Sequence, residues 1–334
     1  MVFRWLSLLF LLACLVAAGL GYQEYQRFVL TPIKLESTQT FTIKSGQNLQ
    51  QVGSALHKQG LSEFPGEYLY WYGRYQKSAH LIKAGEYTLS SGQTLPDLLN
   101  LFIEGKVVQY AFTIIEGMTS QQLLNAIAKD SRLEQTLGEI TLVELMAKLD
   151  GNQRHGEGEF APETYYFSAG TTDMELLNRA YRRMQADLTN AWQNKADELP
   201  YKTPYEALIM ASIIEKETGI AEERPEIAGV FVRRLNKGMR LQTDPTVIYG
   251  MGDKYKGNIR RKDLTTDTVY NTYTRFGLPP SPIALPSKAA IHAALNPKKG
   301  TSLYFVATGK EGRHVFSNTL VEHNKAVRRY QLKK

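Results

Sequence analysis

Residues Trp5 to Tyr22 carry no charged side chain, and this run sets the first limit on what the chain can fold into. About 18 residues of helix rise ~27 Å, close to the hydrocarbon thickness of a bilayer. A segment this apolar does not sit on the surface of a globular domain: it crosses a membrane or is removed. A cleaved signal needs an apolar core of only ~7–15 residues before a small-x-small site. Ala17-Ala-Gly19 has the composition of such a site, yet no polar break precedes it, so the run reads as an uncleaved anchor. Arg4 precedes it, and Glu24 and Arg27 follow. The positive-inside rule then sets the N-terminus in the cytoplasm and the bulk of the chain outside. Cys14 is the sole cysteine, which excludes an intrachain disulfide. Leu11-Leu-Ala-Cys14 has the outline of a lipoprotein cleavage box. The apolar run continues to Leu20, however, where a mature lipoprotein would turn polar, so the thiol reads as membrane-buried.

The remaining chain is long enough for about two domains. A hydrophobic content of 43% argues against wholesale disorder. The formal charge of +7 favours an anionic partner. There is no zinc-finger spacing, no RNP-like aromatic motif and no long Lys/Arg block, so no nucleic-acid partner is indicated. His292, His314 and His323 lack metal-ligand spacing, and no metal site is assigned.

Residues 23–39 read as a polar linker. Beyond them one pattern occurs three times: an alternating apolar strand, a Gly turn, then a short amphipathic helix. The copies run from Phe41 through Gly46 to Leu56, from Tyr87 through Gly92 to Phe102, and from Phe112 through Gly117 to Ile127. Their irregular spacing excludes a solenoid. The first resembles a LysM-type glycan-binding unit; an ordinary βα packing unit fits it equally well. Further on, residues 130–154 read as helical, 151–158 as an exposed loop, and 160–167 as an aromatic extended stretch. Helices are expected from Thr172 to about Asn194, from Pro204 to Glu217 with Gly219 as the left-handed C′ residue, from about Pro225 to Asn236, and from Ser287 to Leu295. Asp244-Pro245 reads as a turn. Residues 303–307 and 314–316 read as a hairpin.

The stretch Ala211-Ser-Ile-Ile-Glu-Lys-Glu-Thr-Gly219 sets two carboxylates at the end of an apolar helix. Poor hydration and the negative end of the helix dipole both favour the protonated acid. Helical spacing puts Glu217 on the face of Met210, Ile213 and Ile214, and Glu215 on the smaller, more polar face of Leu208, Ala211 and Ser212. Glu217 is therefore the better candidate acid, and Glu215 the second choice and a hydrogen-bonded supporter. Glu223-Arg224 reads either as a local ion pair or as a device orienting this helix end.

Several longer motifs occur in order: Ala211–Thr218, Val230-Phe-Val-Arg-Arg-Leu235, Gly238-Met-Arg-Leu-Gln-Thr-Asp-Pro-Thr-Val-Ile-Tyr249, Tyr270-Asn-Thr-Tyr273, Gly277-Leu-Pro-Pro-Ser-Pro-Ile283, and Leu303-Tyr-Phe-Val306 with His314 and Phe316. Together they resemble the endolytic murein transglycosylase (YceG-like) family. The resemblance implies an α+β fold with an anchor over 1–22, a LysM-like βα subdomain over 40–110, and a mixed α/β catalytic domain over 111–334 with a helix-borne Glu. It also implies a single-pass inner-membrane protein with a periplasmic body. Its expected activity is endolytic cleavage of the MurNAc–GlcNAc linkage of nascent peptidoglycan, leaving 1,6-anhydroMurNAc ends and terminating glycan elongation. Lytic transglycosylases carry a Glu followed by Ser; Glu217-Thr218 fits that pair with Thr in place of Ser. No cofactor is implied. Glycan strands are the expected partner, with peptidoglycan synthases nearby. Gln242, Asp244, Tyr249, Asn271 and Tyr273 could bond to or stack on sugars, and Glu163 could line the same groove; a structural role in a turn or loop remains open for each, as for His314. Two other functions remain open: a non-catalytic peptidoglycan-binding scaffold, and a hydrolase using Asp244 or Glu163 as a second carboxylate.

Overall fold

A computed structural model describes residues 2–150, 155–309 and 311–332. The chain is α+β and divides into two compact units, residues 1–110 with 167–170, and residues 111–166 with 171–334. Among the described residues the strands form three two-stranded sheets.

The first unit begins with α1 (Val2–Leu30), followed by β1 (Gln39–Ile43), α2 (Leu49–Lys58), α3 (Gly66–Tyr75), β2 (Gly85–Leu89) and α4 (Leu95–Glu104). β1 and β2 are antiparallel, with Phe41 opposite Tyr87. Their inward side chains join Leu49, Val52, Leu56, Leu98 and Phe102 in one core. Gly53 and Gly66 let α2 and α3 approach closely: a Cβ on Gly66 would lie 2.4 Å from the Ser54 amide nitrogen. α1 is long and apolar enough to cross a membrane over Trp5–Leu30. The expected linker over 23–39 is not free. The helix continues to Leu30, Phe28 and Ile33 are buried in the core at 3% and 5% exposure, and the Ile33 amide donates to the Gln93 carbonyl at 2.7 Å. Apolar residues spaced through a polar segment anchor it where composition alone suggests a connector.

The second unit contains β3 (Tyr110–Thr113) from its second residue, α5 (Ser120–Ala128), α6 (Leu142–Asp150), β4 (Thr164–Phe167) up to its third residue, α7 (Asp173–Gln193), α8 (Pro204–Glu217), α9 (Arg224–Asn236), α10 (Asp244–Met251), α11 (Arg261–Thr265), α12 (Lys288–Leu295), β5 (Tyr304–Ala307), β6 (His314–Ser317) and α13 (Leu320–Tyr330). β5 and β6 form the expected antiparallel hairpin. The strand–glycine–helix pattern is present three times, and a fourth copy runs from β4 through Gly170 to α7. In each copy the glycine has positive φ (Gly46, Gly92, Gly117 and Gly170). Two residues later Asn48, Thr94, Thr119 or Thr172 closes a capping box on its helix. A left-handed turn followed by a reciprocal cap starts each helix at a fixed distance from its strand.

Three expectations change. The helix read over 130–154 shrinks to α6, because the Asp173 carboxylate takes the amides of Thr136 and Leu137 and pins residues 134–137 as a loop; residues 151–154, including part of the expected loop, lie outside the described residues. Asp244-Pro245 opens α10, since Pro is tolerated in a first helical turn. Gly219 does not adopt the left-handed cap: α8 ends because Thr218 turns extended at φ −148°.

α8 is buried on all sides from Ala207 to Ile214, as expected for a helix apolar around its whole circumference. It packs on α12, α9 and α7, with Phe231, Ile227, Ile291 and Leu295 in the surrounding core. Each such side chain contributes roughly 1.5–3 kcal/mol by leaving water. The carboxylates at its end thus emerge from a helix enclosed by the core of the unit.

Candidate active site

Glu217 is the last residue of α8. It lines a cleft of about 470 Å³ together with Arg234, Gln242, Asp244, Tyr273, Tyr304 and His314, among others. Its side chain is half-buried. Burial raises its carboxyl to about 7, reinforced by the negative charge of Asp244 and opposed by the Thr243 hydrogen bond and the Arg234 charge. At that value the carboxyl can give up and recover a proton near neutral pH.

A buried hydroxyl network holds the partner of this carboxyl. Thr243 Oγ1 donates to Glu217 Oε1. The Thr243 amide donates to Thr272 Oγ1 at 3.1 Å, and Thr246 Oγ1 lies 2.9 Å from Thr272 Oγ1 while donating to the Thr243 carbonyl at 2.8 Å. Thr243, Thr246 and Thr272 are at most 3% exposed. The preceding residue, Gln242, has φ +53°, a left-handed backbone that costs about 1–2 kcal/mol for a residue with a Cβ. That conformation leaves its side chain exposed in the cleft while Thr243 turns inward.

Arg234 fastens the same wall. From α9 its Nε donates to the Leu303 carbonyl at 2.7 Å and its Nη1 to the Leu241 carbonyl at 2.8 Å, with the guanidinium 5.1 Å from the centre of the Tyr304 ring. One buried cation thus ties α9, the segment before Gln242 and the approach to β5. Tyr273 Oη donates to Asp244 Oδ1 at 2.6 Å; burial and this bond raise the phenol.

Glu215 points elsewhere. Its Oε2 accepts the Ser287 amide at 2.9 Å and the Ser287 hydroxyl at 2.5 Å, and its Oε1 lies 3.7 Å from Arg224. Its side chain is 6% exposed. Ser287 caps α12, so Glu215 joins the end of α8 to the start of α12. Lys216, between the two glutamates, donates to the Gly117 carbonyl at 3.1 Å.

Of the residues expected from the sequence, Glu217, Gln242, Asp244 and Tyr273 meet in one cleft. The structure does not bring Glu163, Tyr249 or Asn271 there. Glu163 is exposed beside a separate small hollow, 3.6 Å from Arg183. Tyr249 packs at 4.8 Å against Tyr270, and its hydroxyl donates to the buried Glu157 at 3.0 Å. Asn271 is 1% exposed; its amide donates to the carbonyls of Asp263, Leu264 and Thr266 and its oxygen accepts the Tyr273 amide. It shapes the loop that presents Tyr273. Thr243, Thr272 and Arg234 support the site although none stands out as a site residue by type or spacing; the repeated Thr in the Gln242–Thr246 and Asn271–Tyr273 motifs is the signal that points to two of them.

Two histidines also face the cleft. His314 Nδ1 lies 2.8 Å from Glu223 Oε2, and its amide donates to Glu223 Oε1 at 3.0 Å. Glu223 therefore pairs with the hairpin rather than with Arg224. His323 stacks on Tyr304 at 5.2 Å; burial, then Arg234, lowers its ring. Among the described residues no group of three or more His, Cys, Asp or Glu side chains could hold a metal ion.

Comparison with known proteins adds an independent line. The family model described as the YceG-like family matches residues 41–329. A Bacillus subtilis protein named endolytic murein transglycosylase is 33% identical over 326 residues, covering 92% of this chain and 89% of that protein. A Streptococcus pneumoniae protein of the same name is 31% identical over 96% of this chain, which spans 64% of that relative's length. A crystal structure of a YceG-like protein from Listeria monocytogenes aligns with a TM-score of 0.53 at 31% identity, covering 87% of this chain and 99% of the other.

Proposed function

The chain belongs to the YceG-like family, and from that premise we propose that it is a membrane-anchored lytic transglycosylase that cuts peptidoglycan strands internally, with Glu217 as its acid and base. The observation that carries the reading is a carboxyl raised to about 7 on the wall of a cleft large enough for saccharide. Glycosidases that use water need a second carboxylate to activate it or to act as nucleophile. A transglycosylase of this type does not. Protonated Glu217 gives its proton to the oxygen joining MurNAc to GlcNAc. The bond from that oxygen to the MurNAc anomeric carbon breaks, and positive charge develops on the carbon. Anionic Glu217 takes the proton of the C6 hydroxyl of the same sugar as that oxygen attacks the anomeric carbon. The product is a 1,6-anhydroMurNAc end, and no water is consumed.

The Thr243 hydroxyl steadies the anionic stage by donating to Glu217. Arg234 contributes positive charge to the same end. Gln242, Asp244 and Tyr273 are assigned to sugar contact from their place in the cleft. In the same reading α1 crosses the inner membrane with the N-terminus inside and the two units in the periplasm. The first unit, whose antiparallel strand pair packs on short capped helices, serves as a LysM-like glycan-binding module. Cutting nascent strands would end their elongation beside the synthases that make them.

The test is mass spectrometry of glycan strands after digestion. Wild-type chain should yield anhydro ends, and Glu217→Gln should lose cleavage by at least 10²-fold, the lower range for loss of a general acid, with the fold intact. Reducing ends would instead assign a hydrolase, and unchanged strands with retained binding would assign a scaffold.

A further inference from the structure

Aromatic side chains gather around the last turns of α1. Phe28 lies 5.4 Å from the ring of Tyr72 and 6.0 Å from that of Tyr68, and Tyr68 Oη donates to Glu24 at 3.1 Å. These contacts lay α3 against the C-terminal turns of α1. An open, mostly apolar hollow of about 700 Å³ runs between the two helices, lined by Tyr25, Phe28, Trp71 and Tyr75, with the carboxylates of Glu24 and Glu67 also on its wall. The outer face of α3 is uncovered, with Trp71 66% and Tyr75 80% exposed, and Tyr22 on α1 is 65% exposed. Clustered aromatic surface of this kind marks an interaction site rather than ordinary scattered exposure.

Its level along α1 identifies the partner. From Trp5 to Tyr22 the helix rises ~26 Å, and a hydrocarbon core is ~30 Å thick. With Trp5 at one boundary of a bilayer, Tyr22 and Tyr25 arrive at the other, where the hollow begins. Trp and Tyr concentrate at that boundary because their rings prefer the acyl edge and their polar tips the headgroups. Exposed Arg74, three residues after Trp71 on α3, adds a cation suited to lipid phosphate.

We propose that the α1–α3 hollow and the Trp71–Tyr75 face of α3 dock into the interfacial zone of the bilayer that α1 enters, with lipid filling the hollow. The first unit then rests on the membrane through two elements. The inference relies on α1 spanning a bilayer, and its test separates the two. The chain has three tryptophans, Trp5, Trp71 and Trp192. Full-length chain is placed in nanodiscs of phosphatidylcholine and phosphatidylglycerol, with and without bromine near the headgroup end of the acyl chains. Trp5→Phe with Trp192→Phe leaves Trp71 as the sole emitter; Trp71→Phe with Trp192→Phe leaves Trp5. Both emitters should be quenched by the brominated lipid, and Trp71 should emit to the blue of a water-exposed indole. Quenching of Trp5 without quenching or blue shift of Trp71 overturns the docking and leaves the anchor standing. Loss of quenching at both overturns the anchor and the docking with it. A blue shift of Trp71 produced only by added glycan strands, with no lipid quenching, would assign the patch to saccharide and also overturn the proposal.

Discussion

Glu217 and Glu215 are two residues apart and have opposite surroundings. One is raised by burial on a cleft wall; the other spends its oxygens on Ser287 and Arg224. Because the folded chain holds the Glu217 proton to a higher pH than the ordinary value of 4.5, folding takes up a proton between those limits. Stability should therefore fall as pH rises from about 4.5 to 7 and level off above. Glu217→Gln removes that dependence. In thermal melts it should match wild type near pH 4 and exceed it at pH 8, by on the order of 2–3 kcal/mol; equal melting at both pH values would show that burial does not perturb this carboxyl. Cleavage should follow the protonated fraction, with a plateau in mild acid and roughly tenfold loss per pH unit above about 7, measured as the rate of anhydro-end formation. The different faces of the two glutamates were legible in the sequence because helical period is a local property. The Thr243–Thr272 bond was not, since it joins loops 29 residues apart that carry no period to read. Asn271 and Tyr249 read as available for sugar for the same reason: a motif names residues without saying which way the loop at Asn271 or the helix at Tyr249 turns them.

The glycine turn followed by a capping box is the unit from which much of the chain is assembled. Three copies could be read from alternation and glycine placement. The fourth, at Gly170 and Thr172, is hidden because three of the four residues of Thr164–Phe167 are aromatic, so the alternating burial of the strand does not show as alternating residue types. Nothing lies within 4 Å of a Cβ placed on Gly170, whose φ is +84°. Gly170→Ala should cost about 1–2 kcal/mol from backbone strain alone. Thr172→Ala should cost about 1 kcal/mol through loss of the cap on α7. Urea denaturation would check both, and a neutral Gly170→Ala would mean the turn relaxes. Helix ends were the least legible feature. α8 stops through the extended Thr218 rather than through Gly219, and Asp173 dissolves the expected start of the helix before α6 by drawing backbone amides to itself across 36 to 37 residues of sequence.

At the scale of the whole chain, the apolar run is legible in composition, whereas the path between Leu30 and β1 is not. Phe28 and Ile33 bury themselves in the first unit's core. Phe28→Ala should destabilise that unit by about 3–5 kcal/mol, seen as faster amide exchange across α2, α3 and α4 with no change in the α8 and α12 amides; uniform protection in both sets would show that the residue carries no core energy. Seventeen disordered residues would act as a slack cord with a reach of ~20–25 Å. Here the cord is spooled into the fold. With Phe28 and Ile33 locked into that core, the first unit turns with α1 as one piece, and its distance from the apolar span is set by the fold rather than by slack chain.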